Sequence, residues 1–130
     1  MTSVVVWLNE NRPILHMMLH GLVPLIVAWF CAKRGNIKFV FLIMLATMVV
    51  DVDHLLATPI YKADRCSILF HPLHQVWAFA IYAVMVTWPV LLHGMNKPIR
   101  TWQRVMGWVG LGLIIHMLLD GLDCIWMQLS

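Results

Sequence analysis

The sequence predicts an all-α fold: a polytopic membrane protein whose four transmembrane helices run up and down as one bundle. Two observations carry that reading. Hydrophobic residues make up 62% of the 130 residues and charged ones only 12%, a balance that cannot cover a water-facing globule. The apolar residues also gather into four runs of about 20, the length that crosses roughly 30 Å of hydrocarbon, where a helix satisfies its own backbone. Seven tryptophans and ten methionines suit the same solvent, Trp at the headgroup boundary and Met between helices.

The first helix is expected from about Pro13 to Ala32, with Pro13 suited to a first turn and the polar stretch Lys33 to Lys38 closing it. The second is expected from about Phe39 to Ala57, stopping before Pro59. The third opens at about Pro72 and runs to about Leu92, with a kink expected at Pro89. The fourth runs from about Val105 to Leu129, where Gly107, Gly110, Gly112 and Gly121 would let it approach its neighbours closely. No repeat, low-complexity segment or long linker divides the chain, so residues 1–130 are read as a single domain. With no basic stretch ahead of the first apolar run and no small-residue cleavage signal, that run is expected to remain in the mature protein.

The formal charge of +3 is small, and the basic residues lie between apolar runs without interleaved aromatics, which excludes nucleic acid as a partner and leaves membrane lipid. Lys33, Arg34, Lys38, Lys97, Arg100 and Arg104 fall on one side of the predicted bundle, and Arg12, Lys62 and Arg65 on the other. Because basic residues concentrate in cytoplasmic loops, the split puts both termini and the loop around Arg65 outside the cytoplasm.

Ionisable side chains are costly inside a bilayer and normally face the bundle interior. The first helix carries His16 and His20, four apart and on one face. The second carries Asp51, Asp53 and His54 near its end, the third opens on His71 and His74, and the fourth carries His116, Asp120 and Asp123 along one stripe. In an up-down bundle the starts of helices one and three and the ends of helices two and four share one membrane side. Six of the seven histidines, all but His93, and four of the six acidic residues therefore meet there. At a rise of about 1.5 Å per residue, Asp51 and Asp120 would lie on the order of 10 Å below the outer surface, with His116 nearer the midplane.

Any one of these residues could be a cap or a hydrogen-bonded core group. Four helices placing matching ligand types at one depth argue instead for a shared site. Imidazole nitrogen and carboxylate oxygen bind zinc and similar divalent ions, and a cation would explain why several aspartates tolerate burial together. Asp51, His54, His116 and Asp120 are the strongest candidates, with His16, His20, His71 and His74 in support. Cys66 and Cys124 share the outer side and could pair in an oxidising compartment or stay apart, while Cys31 at the inner end is expected only to pack.

The order Asp51-Val-Asp53-His54, His71-Pro-Leu-His74 and His116-Met-Leu-Leu-Asp120 resembles the small bacterial inner-membrane proteins described as membrane-bound metal-dependent hydrolases, the YdjM-like group. The stretch Met48 to His74, with Arg65-Cys66-Ser67, looks like a short subfamily of that kind, although Val50 stands where the group often has proline. The resemblance extends distantly to the zinc-dependent phospholipase C superfamily. It implies a bacterial inner-membrane location and a site holding one or two divalent ions, zinc foremost, with Asp51, His54, His116 and Asp120 as core ligands.

The function expected from these readings is hydrolysis of a phosphate ester, carried by a lipid or a lipid-linked molecule that reaches the pocket through the outer leaflet. An aspartate outside the ligand set, Asp53 or Asp123, would act as general base, and Arg65 in the loop would clamp the phosphate. A metal or proton carrier is the alternative, and would need polar groups continuing towards the inner face. A haem-binding electron carrier is a third class, but haem has no use for several buried aspartates.

Overall fold

The computed structural model describes residues 2–60, 62 and 65–129. Its helices are α1 (Thr2–Glu10), α2 (Arg12–Cys31), α3 (Ile37–Ala46), α4 (Val76–Gly94) and α5 (Thr101–Leu129). Three 3-10 segments, Arg34–Asn36, Thr47–Leu56 and Pro72–His74, complete the helical parts, and no strand occurs among the described residues. Four stretches are long and apolar enough to cross a membrane: α2, the continuous run Arg34–Leu56, α4 and α5. The chain is an all-α membrane protein built on a four-helix bundle.

The longest helix, α5, is the axis on which α2, α3, the Thr47–Leu56 segment and α4 all pack. Glycine makes this closeness possible at three positions. A Cβ added at Gly107 would meet the Pro89 ring at 2.9 Å, one at Gly110 would meet Met85 Cβ at 2.7 Å, and one at Gly112 would meet Thr47 Cγ2 at 2.9 Å. Gly121, expected to do the same, faces open space with nothing within 4 Å; past Asp120 no neighbouring backbone crowds its face of α5.

Two apolar clusters result. Ala28, Val40, Met44, Ile115 and Leu119 join α2, α3 and α5. Val50, Ala78, Tyr82 and Met117 join the Thr47–Leu56 segment, α4 and α5. The outward faces stay apolar, with Trp29, Phe30, Val84 and Val90 well exposed, as lipid-facing surface requires.

Three local departures from the sequence reading matter for the site. The second span does not remain α-helical: the Thr47 hydroxyl donates to the Met44 carbonyl, and from Thr47 the chain winds as a 3-10 helix for 10 residues. Such back-bonding bends helices, and a 3-10 run this long is unusual, because its hydrogen bonds are poorer than those of an α-helix. The third span does not open at Pro72. The turn Pro72–His74 is followed by extended backbone at Gln75 (φ −86°, ψ 163°), so His71 and His74 precede the span rather than lie on it.

Finally, α1 precedes the first expected helix and joins α2 at Asn11, whose side chain donates to the Trp7 carbonyl (2.8 Å). The Trp126 indole fastens α1 to the end of α5 by donating to Asn9 Oδ1 (2.8 Å).

Candidate metal centre

One end of the bundle brings together groups from three of the four spans and from the loop before α4. Asp51 from the second span, His74 from the Pro72–His74 turn, and His116 and Asp120 from α5 form the first set, with one potential ligand atom from each within 4.8 Å of the others. Asp51 Oδ1 lies 3.0 Å from His116 Nε2 and 3.6 Å from His74 Nε2. Asp120 Oδ2 lies 3.1 Å from His74 Nε2 and 3.6 Å from His116 Nε2. Around a tetrahedral zinc ion with ligands at about 2.0–2.2 Å, neighbouring ligand atoms stand roughly 3.2–3.6 Å apart; two of these four pairs stand at 3.6 Å and two slightly closer, at 3.0 and 3.1 Å.

A second set shares a member with the first. Asp120 Oδ1, the other oxygen of the same carboxylate, lies 3.2 Å from His16 Nε2 and 3.4 Å from His20 Nε2. His20 Nδ1 donates to the His16 carbonyl at 2.9 Å. Since a carbonyl only accepts, that contact places a proton on Nδ1 and leaves Nε2 available as a ligand. Asp123 flanks this set, 4.0 Å from His16 Nδ1 and 3.7 Å from Arg12 Nε.

Beneath the loop lies a third set, Asp53, His54 and His71. Asp53 Oδ1 is 3.2 Å from His54 Nδ1, which also reaches the Asp51 carbonyl at 3.1 Å. His54 Nε2 accepts from the Ser67 hydroxyl (3.1 Å), and the His54 ring stacks on His71 with centroids 3.7 Å apart. Both nitrogens of His54 are thus occupied by protein groups.

The donor set fits a cation on an internal test. Among the described residues, four buried side-chain N or O atoms lack a hydrogen-bond partner: His20 Nε2, His74 Nε2, Asp120 Oδ2 and His116 Nδ1. The first three are ligand atoms of the two sets joined by Asp120. His74 Nε2 and Asp120 Oδ2 stand 3.1 Å apart yet are not aligned as a hydrogen bond, and buried polar groups are seldom left so. A divalent ion would satisfy these lone pairs and offset the carboxylate charge together.

Electrostatics ahead of the third span agree. Burial pushes the His74 imidazolium down, but Asp120, Asp51 and Asp53 within hydrogen-bonding reach outweigh it and raise the pKa from 6.5 to about 10. Without an ion, the carboxylates therefore recruit a proton instead. His71 goes the other way: burial and the neighbouring His54 lower its pKa, which keeps it neutral at pH 7.

The four-membered set holds Asp51, His116 and Asp120 of the expected core candidates together with His74, while His54 falls in the set with Asp53 and His71; His16 and His20 meet the first set at Asp120. In a 3-10 helix of about 2 Å rise per residue, three residues carry His54 roughly 6 Å beyond Asp51 along the axis, where Ser67 meets it. Asp53, expected as a free base, is 3% exposed with both oxygens engaged.

Arg65 donates to the Pro59 carbonyl (2.8 Å) and lies over the Phe70 ring at 4.6 Å, so it braces the loop beside His71. Cys66 and Cys124 form a disulfide that ties this loop to α5 one turn beyond Asp120. Cys31, expected to pack, is exposed, as is His93.

A family described as being of unknown function, DUF6122, matches residues 11–127. The chain belongs to that family. The residues matched to DUF6122 run through every member of the three polar sets, from His16 to Asp120, and leave out α1. Neither a curated protein nor a solved structure matches the chain.

Proposed function

We propose that this chain is a membrane-embedded, metal-dependent hydrolase of a phosphate ester in a lipid or lipid-linked substrate. The observation that carries the reading is the Asp120 carboxylate, which turns one oxygen to the set Asp51, His74 and His116 and the other to His16 and His20. That arrangement suits two ions, zinc foremost, sharing one bridging carboxylate. The resemblance of the Asp51, His71–His74 and His116–Asp120 motifs to the YdjM-like hydrolases points the same way.

Bound divalent ions would supply Lewis acidity and an acidified water. The chain's own residues do the rest. Asp123, 21% exposed and unengaged by the first set, would accept a proton from the substrate side. Arg12 beside it, and Arg65 beside His71, give cationic flanks for a phosphate. Asp51 at 39% and His54 at 32% side-chain exposure mark where the cluster opens. Towards the opposite end the core is Ala28, Val40, Met44 and Ile115, which supplies no polar relay and favours a one-sided pocket over a carrier.

The loop disulfide and the six-to-three split of basic residues support an outer-face site in the bacterial inner membrane, with both termini outside the cytoplasm. A C-terminal alkaline phosphatase fusion tests that orientation and should be active. For the activity, zinc- or manganese-loaded protein in nanodiscs is offered phosphomonoester and phosphodiester lipids, and phosphate or headgroup release is compared with His116→Ala. Release by the wild type alone supports the hydrolase. Metal-loaded wild type no faster than the variant on every lipid would leave a metal-binding protein without this activity.

A further inference from the structure

Asp53 is a carboxylate that neither the ligand sets joined by Asp120 nor the proposed chemistry uses. It is 3% exposed, and a carboxylate so deeply placed normally persists only when its lone pairs are taken. Oδ2 accepts from the Leu73 backbone N–H at 2.8 Å and from His74 Nδ1 at 3.2 Å, while Oδ1 faces His54 Nδ1 at 3.2 Å. The third polar set could bind an ion only by breaking these bonds together with the Ser67–His54 bond.

We propose that Asp53 is a positioning residue of the metal centre, which holds His74 with its proton on Nδ1 and its Nε2 lone pair on the ion. The proposal rests on the metal-binding reading above and deepens it. Neutral imidazole has one protonated and one bare nitrogen, so the partner of Nδ1 decides which nitrogen can ligate. Among the described residues His74 has Asp53 on Nδ1 and, on Nε2, the two carboxylates Asp51 and Asp120 that would share the ion.

The backbone around His74 is fixed as well. Its carbonyl accepts from Leu69 N–H (3.0 Å), and the Leu73 carbonyl accepts from the Tyr82 hydroxyl (3.1 Å). Asp53 thus clamps the Leu73 amide and the ring beyond it with one oxygen, which leaves the imidazole little room to rotate. The 3-10 winding of Thr47–Leu56 is what lets Asp53 turn inward to the Pro72–His74 turn while Asp51 faces α5.

The variant Asp53→Asn is nearly isosteric but carries a donor on one arm. With its oxygen kept on the Leu73 N–H and His74 Nδ1, its amide N–H falls opposite His54 Nδ1, and the anionic acceptor that fixes the His74 Nδ1 proton becomes a weaker, neutral one. Zinc affinity of the purified protein, by chelator competition, should fall about 10- to 100-fold, and the cobalt-substituted visible spectrum should change. Melting of the metal-free protein should stay within a few degrees.

If Asp53→Asn binds zinc within twofold of wild type with the same cobalt spectrum, the positioning role is wrong and the metal centre stands. If wild type itself binds neither zinc nor cobalt, the metal reading fails and takes this proposal with it. Should the variant not fold, nitrogen-15 NMR of zinc-loaded wild type decides the matter. His74 with a protonated, hydrogen-bonded Nδ1 supports the proposal; metal on Nδ1 overturns it.

Discussion

Replacing Gly112 with alanine links the packing of the bundle to the geometry of its polar site. The new Cβ would lie 2.9 Å from Thr47 Cγ2 and 3.0 Å from both Met44 Cα and Thr47 Oγ1. Met44 Cα is backbone and cannot rotate away, so the two spans must part by about half an ångström to restore ordinary contact. Gly112 lies one turn before His116 on α5, and Thr47 about one turn before Asp51 on the second span. The parting therefore falls on the pair His116 Nε2 and Asp51 Oδ1, now 3.0 Å apart.

A metal site tolerates ligand distances to about 0.2 Å, so zinc affinity should fall by roughly tenfold or more, about 1.4 kcal/mol. Stability should change less. Alanine gains about 1 kcal/mol of helix propensity over glycine against an overpacking cost of about 1–3 kcal/mol. The matched control is Gly121→Ala, whose Cβ meets nothing within 4 Å; it should bind zinc like wild type and melt at the same temperature or slightly higher. Both are measured in detergent by chelator competition and thermal melting. Equal zinc affinity in Gly112→Ala, Gly121→Ala and wild type would refute the link between helix approach and site geometry.

Other consequences follow from the polar cluster and its loop. The His74 pKa of about 10 lies above its usual 6.5, so its ion pairs contribute fully below pH 6.5 and fade as pH rises through 10; metal-free protein should melt progressively lower over that window, more steeply than zinc-loaded protein. For the same reason zinc must displace the His74 proton at pH 8, and calorimetric heats should vary with buffer ionisation enthalpy; buffer-independent heats would contradict it. Opening the Cys66–Cys124 disulfide, which closes a 58-residue separation, should cost about 2–4 kcal/mol of stability and weaken zinc binding, since Ser67 beside Cys66 holds His54. A Cys66→Ser, Cys124→Ser double variant with wild-type melting and affinity would show that the loop needs no tie.

The fold was legible because length and hydropathy dictate membrane spans, and the shared depth of His16, His20, Asp51, His116 and Asp120 followed from alternating helix direction. The pairing of ligands was less so. That His74 and not His54 clusters with Asp51, His116 and Asp120 depends on the change from α to 3-10 winding at Thr47, and one hydroxyl-to-carbonyl bond inside an apolar run leaves little trace in hydropathy. It depends too on the extended backbone at Gln75, which takes His74 off the span. Asp53 reads as a candidate general base until the Leu73 amide is seen against it. The disulfide could not be read, because sequence carries no distance between Cys66 and Cys124. In contrast, Gly107, Gly110 and Gly112 were legible as close contacts, and only Gly121 shows that glycine in a span need not mark one.

The central claim is that Asp120 joins two ligand sets, and metal stoichiometry tests it most directly. Protein purified in detergent, equilibrated with zinc and freed of excess ion, is measured by elemental analysis beside Asp120→Ala and His20→Ala. The account predicts about two zinc ions per chain in wild type, about one in His20→Ala and close to none in Asp120→Ala. Wild type that retains no zinc, or Asp120→Ala that retains the wild-type amount, would contradict it.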